Sequence, residues 1–311
     1  MENSQIIIDE KYMRRCIQLA ANGIQGARPN PMVGSVIVAN ERIIGEGYHV
    51  RCGEGHAEVN AFASVSQEDE SLLKDATIYV SLEPCSHYGK TPPCADLIIK
   101  KGVRRVVVGC IDPFAEVQGR GIQKIREAGI EVVVGVLEDE CRWLNRRFFT
   151  FHSMHRPYII LKWAQTANGF IDDHFQPLLI SNEQTQMISH QLRAEEDAIL
   201  VGHTTFNRDQ PSLNVRHWHG PDPKRIVLTR NRPLTQLIDD LYQHGIQSLI
   251  VEGGRQTHES LMKAGLWDEI RVETAPVTVT DGTPAPKLPV EVRVRSQQIY
   301  EKNEIVIYTR Q

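Results

Sequence analysis

The sequence predicts an α/β protein of two domains, and three observations lead to this. The chain has 311 residues, which exceeds the usual size of one domain because a single hydrophobic core stops growing near that length. In both halves, short β-branched runs alternate with helical segments, as in a sheet that is covered on both faces. A polar stretch at 152–156 precedes Pro157 and is typical of a linker. We therefore expect domains at residues 1–150 and 151–311.

The first domain is predicted to open with a helix and a β-hairpin. Asp9 is a residue type that caps helices, and the apolar spacing after it predicts a helix that ends near Gly23. Two β-branched runs at 33–38 and 43–48 are separated by a short polar turn, which is the signature of paired strands. The remaining elements are a helix from His56 to 63, a strand at 77–81, a helix at 94–100, a strand at 106–109, a helix at 121–128, a strand at 130–134 and a closing helix at 141–149.

The second domain is predicted to begin with a strand at 158–164. Further strands are expected at 198–201, 225–228 and 248–251, and a last group of strands follows Asp268. Helical segments separate the earlier strands, so the order predicts a second α/β sheet. The strands that are grouped at the end predict an antiparallel edge.

Bulk composition excludes several classes of function. A net charge of −4 and an aromatic content of 6% argue against a protein that binds nucleic acid over a long footprint. No apolar run reaches the roughly 20 residues of a membrane-spanning helix, and no basic-then-apolar signal opens the chain. Six cysteines, two of them in a metal-binding pattern, fit a reducing compartment. We therefore expect a cytoplasmic enzyme that acts on a small molecule.

Three residues of the first half form a metal-binding pattern. His56, Cys85 and Cys94 are ligand types that a tetrahedral zinc ion takes, and they leave a fourth position for water. Glu58 follows the histidine by two residues, and a proline precedes each cysteine. This is the H-x-E … P-C … C arrangement of the zinc-dependent base deaminases, although eight residues separate the cysteines here instead of two.

The predicted elements explain these positions. His56 and Cys94 each fall in the first turn of a predicted helix, where unpaired N–H groups and the positive end of the helix dipole favour a thiolate. Zinc is expected to lower the pKa of its water towards about 7, and Glu58 is expected to pass the proton to the ring nitrogen and the departing ammonia. A closed structural zinc site, with Cys52 or His87 as the fourth ligand, is the alternative.

Four segments of the first half resemble the bifunctional deaminase–reductase family of riboflavin biosynthesis. They are R-P-N-P-M-V-G at 28–34, G-Y-H at 47–49, H-A-E at 56–58 and E-P-C-S-H-Y-G-K-T-P-P-C at 83–94. The resemblance implies a cytidine-deaminase-like three-layer first domain and a dihydrofolate-reductase-like second domain. The first would remove the exocyclic amine of a diaminohydroxypyrimidine that carries a ribosylamino 5′-phosphate, and the second would reduce the ribose of the product to a ribityl chain. Zinc and NADPH are the implied cofactors, and a homo-oligomer is expected.

The resemblance also implies substrate contacts in the first half. Asn30 has an amide that can pair with a pyrimidine edge, and His49 is implied to contact the ring. Lys90, between the two zinc cysteines, is implied to bind the phosphate as a point charge. A solvated loop lysine is the alternative for that residue. The family usually has Asn where this chain has Phe114.

In the second half, the resemblance implies that Lys162 and Glu252 are catalytic. The implied substrate contacts are Arg193, Leu213 and Arg216. The implied cofactor contacts are Ala164, Thr205, Asp209, Gly254, Arg255, Gln256 and Thr257. The glycine pair at 253–254 follows a strand and opens a helix, which lets backbone N–H groups meet phosphates. By itself, a glycine pair at a strand end is more often only a turn.

The second half departs from the family in three places. T-A-N-G at 166–169 replaces the usual S-L-D-G, and Leu213-Asn214 replaces Leu-Thr. About 30 to 40 residues are absent after the segment 225–233 if connections follow their usual lengths. A deaminase joined to a degenerate reductase is therefore one alternative. A nucleoside or tRNA deaminase and a metal-stabilised binding protein are two others; the Asn30 segment and the net charge argue against the former, and Glu58 argues against the latter.

Overall fold

The computed structural model describes residues 2–88, 92–113, 118–229 and 231–310. The chain forms two compact units, Met1–Met154 and His155–Gln311, and each has its own sheet and hydrophobic core. Within the described residues, every helix is too short or too polar to cross a lipid bilayer. The α/β class that the sequence predicts is confirmed in both units.

The sheet of the first unit has five strands. They are Gly34–Ala39 (β1), Arg42–Tyr48 (β2), Thr77–Leu82 (β3), Arg105–Cys110 (β4) and Glu131–Val134 (β5). Their spatial order is β2-β1-β3-β4-β5; β1 pairs antiparallel with both neighbours, and the last three strands are parallel. The hairpin turns through Asn40 and Glu41, whose φ angles of 50° and 59° belong to the tight turn that matches strand twist.

Helices cover both faces of this sheet, as predicted. They are Glu2–Ala21 (α1), Ala57–Ala63 (α2), Cys94–Lys101 (α3), Arg120–Glu127 (α4), Glu138–Leu144 (α5) and Arg146–Met154 (α6), with a 3₁₀ helix at Glu70–Asp75. One hydrophobic cluster contains Phe62 of α2 and Ile98 of α3, and a second contains Met13 of α1 and Phe149 of α6. The first unit is therefore a three-layer structure with the sheet in the middle.

The prediction that Asp9 caps the first helix is wrong. Asp9 lies in the middle of α1, and its carboxylate is buried. It accepts hydrogen bonds from Arg105 (2.8 Å) and from the hydroxyl group of Tyr79 (2.9 Å). The acidic residue therefore serves a tertiary ion pair, and the helix begins well before it.

The predicted closing helix at 141–149 is also corrected. Two helices, α5 and α6, occupy this region, and Asn145 separates them. α6 continues through Met154, so the first three residues of the predicted linker at 152–156 are helical. In the added turn, the ring of His152 lies against that of Phe148 with centroids 4.3 Å apart, and the hydroxyl group of Ser153 donates to the carbonyl oxygen of Phe149 at 2.6 Å, so these polar residues have partners within the helix.

The sheet of the second unit has seven strands. They are Tyr158–Thr166 (β6), Ala198–Gly202 (β7), Lys224–Leu228 (β8), Ser248–Val251 (β9), Glu269–Ala275 (β10), Val292–Tyr300 (β11) and Asn303–Arg310 (β12). Their spatial order is β11-β12-β10-β6-β9-β7-β8. The five strands from β10 to β8 are parallel, whereas β11 and β12 are antiparallel. The predicted antiparallel edge is therefore confirmed.

The helices of the second unit lie between its parallel strands in sequence. They are Glu183–Glu195 (α7), His203–Asp209 (α8), Leu234–Gln243 (α9) and Arg255–Lys263 (α10). The strands β7 and β9 are buried along their whole length, as expected for central parallel strands. Only the residues 229–233 connect β8 to α9, so the short connection expected from the sequence is present.

Candidate active sites

Three ligand atoms of the first unit lie close together. The Nδ1 atom of His56 is 3.6 Å from the Sγ atom of Cys85 and 3.3 Å from the Sγ atom of Cys94. One ligand atom from each of the three side chains lies within 4.8 Å of the other two. The structure therefore brings together the three residues that the sequence selects as metal ligands.

Local structure explains how each ligand is held. His56 is the extended residue immediately before α2, not a residue of its first turn, and Cys94 is the first residue of α3. Cys85 follows β3, and its Sγ atom accepts a hydrogen bond from the backbone N–H of Cys94 at 3.3 Å. Hydrogen bonding with Cys94 lowers the pKa of the Cys85 thiol to about 4 against the effect of burial, and the hydrogen bond with His56 adds to this. A thiolate at Cys85 is ready to bind a metal ion.

Two glycines set the distance between α2 and the sheet. A Cβ atom at Gly47 would lie 2.5 Å from the backbone nitrogen of Ala61, and one at Gly45 would lie 2.5 Å from its carbonyl oxygen. Any larger side chain on this face of β2 would push α2 outward. Since α2 carries Glu58 and follows His56 directly, these glycines fix how close both side chains lie to the sheet.

The donor set fits zinc of the catalytic kind. One imidazole nitrogen and two thiol sulfurs are three of the four ligands of a tetrahedral zinc ion, which leaves one position open. Cys52 and His87 are both exposed, and neither belongs to the ligand group found among the described residues. The alternative of a closed structural site therefore lacks its fourth ligand in the part of the chain that the structure describes.

Glu58 is buried beside the metal ligands. It is the second residue of α2, and 3% of its surface is exposed. Burial raises the pKa of its carboxyl group to about 7. A carboxyl group that titrates near neutral pH can both accept a proton and return it, so the environment of Glu58 suits a proton carrier.

Asn30 and His49 lie next to the metal ligands as a hydrogen-bonded pair. The Nδ2 atom of Asn30 is 3.1 Å from Nε2 of His49, and Nδ1 of His49 is 3.1 Å from the carbonyl oxygen of Gly55. Because a carbonyl oxygen only accepts, we assign the proton of His49 to Nδ1, and Nε2 accepts from Asn30. Burial lowers the pKa of His49, which keeps the ring neutral. The ring of His49 also contacts that of His56 edge to face, with centroids 5.4 Å apart.

Two supporting residues were missed by sequence reasoning. The carboxylate of Glu83 accepts hydrogen bonds from the backbone N–H groups of Gly119 (2.9 Å) and Gly121 (3.0 Å). Asn145 is buried and binds both backbone polar groups of Met32. The position of Glu83 directly before the first proline–cysteine pair was a usable signal. Nothing local in the sequence marks Asn145.

Two residues of the first half cannot be placed relative to this site. Lys90, the predicted phosphate ligand, and Phe114, the departure from the family pattern, both lie outside the described residues. The phosphate-binding role of Lys90 stays a prediction.

In the second unit, a cavity of about 310 Å³ lies beside β6 and the end of β9. Eight of the residues selected by resemblance line it: Lys162, Ala164, Arg193, Thr205, Asp209, Arg216, Glu252 and Gly254. They come from segments that are up to 92 residues apart in sequence, between Lys162 and Gly254, so the fold is what assembles them. We call this space the reaction cavity.

A buried ion pair organises the reaction cavity. Arg193 donates from Nε and Nη2 to the two carboxylate oxygens of Glu252 at 3.0 and 2.5 Å. Burial acts to raise the pKa of Glu252, but the positive charges of Lys162 and Arg193 outweigh it and lower the pKa below its ordinary value. Glu252 is therefore an ionised carboxylate, and Arg193 fixes its orientation.

His190 and Arg216 lie in the reaction cavity beside this ion pair. The backbone N–H of Arg216 donates to Nδ1 of His190 at 3.0 Å, and the exposed guanidinium of Arg216 donates to Asn214 at 3.0 Å. Burial, together with the charges of Arg193 and Arg216, lowers the pKa of His190 to about 4. Arg193 and Arg216 are both neighbours of this neutral histidine, and the exposed guanidinium of Arg216 suits an anionic group such as a phosphate.

A second cavity of about 700 Å³ adjoins the first, and we call it the cofactor cavity. Five of the residues selected by resemblance line it: Thr205, Gly254, Arg255, Gln256 and Thr257. Thr229 and Arg232 line it as well. Sequence reasoning missed both, because single polar residues after a strand carry no distinctive pattern.

The start of α10 fits the phosphates of a dinucleotide. Gly254 precedes this helix with a φ of 40°, and a Cβ atom there would lie 2.7 Å from the hydroxyl oxygen of Thr205. Among the described residues, no side chain caps α10, so its first turn offers backbone N–H groups as ligands for an anion. The residues present therefore fit the phosphate groups of NADPH.

The structure does not bring Leu213 to either cavity. Its side chain is 3% exposed and packs in a hydrophobic cluster with Tyr158 and Leu192. Among the described residues that line the two cavities, Leu213 is absent. A substrate contact by this side chain would require its withdrawal from the core.

The amide at Asn168, where the family usually has a carboxylate, has a structural use. Its Nδ2 atom donates to the carbonyl oxygen of Val279 at 2.7 Å, and its Oδ1 atom accepts from the hydroxyl group of Thr166 at 2.9 Å. A carboxylate could accept the second hydrogen bond but could not donate the first. The residue therefore joins two segments of the second unit.

Both units match known protein families. Residues 7–110 match the cytidine and deoxycytidylate deaminase zinc-binding region. Residues 157–304 match the RibD C-terminal domain. Together with the sites described above, these matches define a zinc-dependent deaminase joined to a reductase.

Comparisons with proteins that are similar over most of the chain agree with these family matches. RibD of Aquifex aeolicus is 37% identical over 320 residues, which cover 88% of this chain and 89% of that protein. RibD of Bacillus amyloliquefaciens is 35% identical, and the match covers 90% of this chain and 88% of that protein. The crystal structure of the deaminase/reductase of Thermotoga maritima superposes with a TM-score of 0.90 at 31% identity, over 99% of this chain and 100% of that one. This chain belongs to the RibD family of bifunctional enzymes of riboflavin biosynthesis.

Membership of this family confirms several predictions. The cytidine-deaminase-like and dihydrofolate-reductase-like folds, the bifunctional enzyme class and the use of zinc and NADPH all agree with the matches. The family match covers the second unit as well as the first. The comparisons thus support the bifunctional enzyme, and not a deaminase with a degenerate reductase or a nucleoside or tRNA deaminase.

Proposed function

We propose that this chain catalyses two consecutive steps on one small pyrimidine. Residues 1–150 would deaminate 2,5-diamino-6-ribosylamino-4(3H)-pyrimidinone 5′-phosphate, and residues 151–311 would reduce the ribosyl chain of the product to ribityl. The Thermotoga maritima structure, to which this chain is similar along its whole length, is named for a deaminase and a reductase of this kind. The two groups of residues described above provide a separate site for each step.

For the deamination, His56, Cys85 and Cys94 would hold zinc, which supplies a Lewis acid that activates water. Glu58 would accept one proton of the attacking water and deliver it to the ring nitrogen, and it would then carry the second proton of that water to the departing amine. The oxygen atom of water then replaces the exocyclic nitrogen atom, which leaves as ammonia. A pKa of about 7 lets the carboxyl group act in both directions.

Recognition of the pyrimidine is assigned to Asn30 and His49. The amide of Asn30 would pair with the polar edge of the ring, and the neutral His49 would hold that amide through the 3.1 Å contact while contacting the ring itself. Lys90 is proposed to bind the 5′-phosphate as a point charge.

For the reduction, NADPH supplies the hydride. Lys162 and Glu252 would bind the sugar chain at the reacting carbon, since an ammonium group and an ionised carboxylate line the same cavity. Arg193 and Arg216 would attract the phosphate of the intermediate, and Leu213 stays a predicted substrate contact. The proposed cofactor ligands are Ala164, Thr205, Asp209, Gly254, Arg255, Gln256 and Thr257.

The burial of Glu58 beside the three metal ligands is the observation that carries this proposal. A purely structural metal site has no use for an adjacent carboxyl group whose pKa is about 7. Burying a carboxyl group costs stability, so the residue is better explained by proton transfer.

The proposal is tested by following ammonia and NADPH in one tube, with zinc-loaded protein and the diaminopyrimidine substrate. We expect ammonia release and substrate-dependent NADPH oxidation. Glu58→Gln should keep its zinc and lose ammonia release, while it still oxidises NADPH when the deaminated product is supplied. Glu68→Gln, at an exposed position, is the matched control and should keep both activities. Ammonia without NADPH oxidation would contradict the reductase half, and absence of both would contradict the whole.

We also propose that the enzyme is a cytoplasmic homo-oligomer. All six cysteines are unpaired, which fits a reducing compartment. Ile6 and Ile7 on α1 expose 55% and 68% of their surfaces, and apolar groups of this kind are common in subunit interfaces. Light scattering at several concentrations measures the oligomeric state, and a monomer at all of them would contradict this part of the proposal.

A further inference from the structure

We propose that Glu273 is a positioning residue for the reduction, because its buried carboxylate holds residues 178–181 in place as one wall of the reaction cavity. We call these four residues the wall segment. All four line the reaction cavity, together with Lys162 and Glu252. This rests on the proposed reductase function and adds to it a residue that is not among the described residues lining the cavity.

The wall segment depends on side chains for its position. It lies between β6 and α7, where the chain has no regular secondary structure. Among the described residues, no backbone–backbone hydrogen bond joins the segment to the rest of the protein. Leu179 exposes 77% of its surface, whereas Ile180 is buried. Packing therefore holds one part of the segment, and side-chain hydrogen bonds must fix the remainder.

The carboxylate of Glu273 makes three such hydrogen bonds. Glu273 lies in β10 and is 2% exposed. Its Oε2 atom accepts from the hydroxyl group of Ser181 at 2.7 Å. Its Oε1 atom accepts from the hydroxyl group of Thr185 and from Nδ2 of Asn303, each at 2.6 Å. These bonds satisfy a carboxylate whose burial would otherwise cost stability, and one of them reaches the wall segment directly.

Asn303 connects the same carboxylate to a second point of the wall segment. It is the first residue of β12, and its side chain is buried. Its Nδ2 atom has two hydrogens and donates to Glu273 and to the carbonyl oxygen of Ile180, the latter at 3.1 Å. Since Ser181 is the direct partner, two consecutive residues of the wall segment are held by way of Glu273.

The strand register places Glu273 next to the strand of the proposed catalytic lysine. β10 runs parallel to β6, with Arg271 opposite Lys162 and Glu273 opposite Ala164. Alternate residues of a strand share one face of the sheet, so Glu273 lies on the face that carries Lys162 and Ala164. Both of these residues line the reaction cavity. The carboxylate therefore ties the wall segment to the sheet beside the proposed site of hydride transfer.

A positioning role and a purely structural role lead to different kinetics. If Glu273 only stabilises the fold, its loss lowers the fraction of active protein, so kcat falls while KM is unchanged. If Glu273 positions the wall segment, its loss leaves the substrate to bind against a displaced wall, so KM rises. The two roles are therefore separated by measuring both constants.

The test is the reduction of the deaminated product by NADPH, with the zinc-loaded full chain and steady-state measurement of kcat and KM. Glu273→Leu removes both acceptor oxygens at a similar size. We expect it to raise the KM of the deaminated product about tenfold to a hundredfold and to change kcat by less than about threefold.

Glu273→Gln should restore kinetics close to those of the wild type. Its Oε1 atom can accept from Thr185 and Asn303 as before. Its Nε2 atom can donate to the hydroxyl oxygen of Ser181, because a hydroxyl group accepts as well as donates. The conservative variant therefore keeps the hydrogen bonds and loses only the charge.

Glu291→Leu is the matched control. It removes a carboxylate at an exposed position of the second unit, and Glu291 is not among the described residues that line either cavity. Its kcat and KM should equal those of the wild type. Ammonia release should be unchanged in every variant, because the residues of the deamination site belong to the first unit.

Asn303→Ala keeps the inference testable if Glu273→Leu does not fold. It removes the hydrogen bond to Ile180 but leaves Ser181 and Thr185 bound to Glu273, so KM should rise about threefold to tenfold. An unchanged KM in either variant, or the same rise in Glu273→Gln as in Glu273→Leu, would overturn the positioning role and leave the reductase function intact. A wild type that releases ammonia but does not oxidise NADPH with the deaminated product would overturn the proposed reductase function, and this inference with it.

Discussion

The side chain of Asn145 pairs with the backbone of Met32 in both directions. Its Oδ1 atom accepts from the N–H of Met32 and its Nδ2 atom donates to the carbonyl oxygen, each at 2.8 Å. The two residues are 113 positions apart. Met32 is two residues from Asn30, the proposed pyrimidine ligand, so Asn145, at the break between α5 and α6, fixes the position of the segment 28–34.

We expect Asn145→Asp to weaken this loop. The substitution keeps the shape of the side chain but replaces the donor by a carboxylate oxygen that faces the carbonyl oxygen of Met32. Leaving a buried carbonyl group without its donor costs about 1 to 3 kcal/mol of unfolding free energy. Urea denaturation measures this cost, and ammonia release should show a raised KM because Asn30 loses its fixed position.

The control for this substitution is Asn40→Asp, in the exposed turn of the hairpin. It makes the same chemical change at a position with an αL backbone, which Asp tolerates. Its stability and KM should be close to those of the wild type. An Asn145→Asp variant that behaves like this control would contradict the anchoring role.

A second prediction concerns Glu83. Its carboxylate accepts from the backbone N–H groups of Gly119 and Gly121 at 2.9 and 3.0 Å, and more weakly from Asp112 and Ile122 at 3.4 Å each. Glu83→Gln turns one acceptor oxygen into an amino group that faces these donors. We expect the unfolding free energy to fall by about 1 to 3 kcal/mol. Amide hydrogen exchange at residues 118–122 should become faster, and the zinc content should be unchanged.

Glu127→Gln on the exposed side of α4 makes the same change at a carboxylate that accepts from the exposed side chain of Gln123 (2.8 Å) instead of from backbone N–H groups. It should leave hydrogen exchange at 118–122 as in the wild type. Unchanged exchange in Glu83→Gln as well would mean that the carboxylate does not order the start of α4.

Removal of the metal should separate the two activities. The metal ligands all belong to the first unit, so dialysis against a chelator is expected to abolish ammonia release. Reduction of the deaminated product by NADPH should persist, because its residues belong to the second unit. Added zinc should restore ammonia release to the wild type and not to Cys94→Ser.

Cys52→Ser provides the control for the ligand set. Cys52 is exposed, and its loss should leave zinc content and ammonia release unchanged. Loss of zinc from this variant would revive the closed structural site as the correct description. Zinc content by atomic emission and ammonia by enzymatic assay measure both quantities.

The ion pair between Asp9 and Arg105 should make stability depend on pH. Burial acts to raise the pKa of Asp9, but the hydrogen bonds from Arg105, Gln5 and Tyr79 outweigh it, so the pKa lies below its ordinary value of 3.8. A carboxyl group with a lower pKa in the folded state stabilises the fold above its unfolded pKa, and this stability is lost as the pH falls through the folded pKa. We therefore expect the unfolding free energy to decrease below about pH 4.

Asp9→Asn tests this contribution. The substitution removes one of the carboxylates that pair with the buried Arg105. The unfolding free energy at pH 7 should therefore decrease by about 3 kcal/mol. The variant should also lose part of the decrease in stability at acid pH. Urea denaturation from pH 7 to pH 3 measures both effects, with Asp75→Asn, an exposed position in the same unit, as the control. If the unfolding free energy decreased equally at acid pH in the wild type and in Asp9→Asn, the pKa of Asp9 would be the same in the folded and unfolded states, which would contradict this prediction.

Short-range signals explain what could be predicted from the sequence. The β-branched runs predict all of the strands from β1 to β9, and the polar turn predicts the hairpin, because strand and turn preferences act over a few residues. The metal ligands and Glu58 follow from a motif in which each residue type has one chemical use. By itself, the sequence therefore determined the class of fold, the metal chemistry and the presence of two domains.

Only the tertiary structure decided which distant residues meet. The pairs Asp9–Arg105, Asn145–Met32 and Arg193–Glu252 join positions that are 96, 113 and 59 residues apart. Their distances depend on how helices and strands pack, which no local pattern encodes. The same holds for Leu213, which the resemblance selects for the substrate and packing places in the core, and for Arg232, which the end of β8 brings into the cofactor cavity. Buried polar groups must find partners wherever the fold places them, so these contacts become visible only when the whole chain is folded.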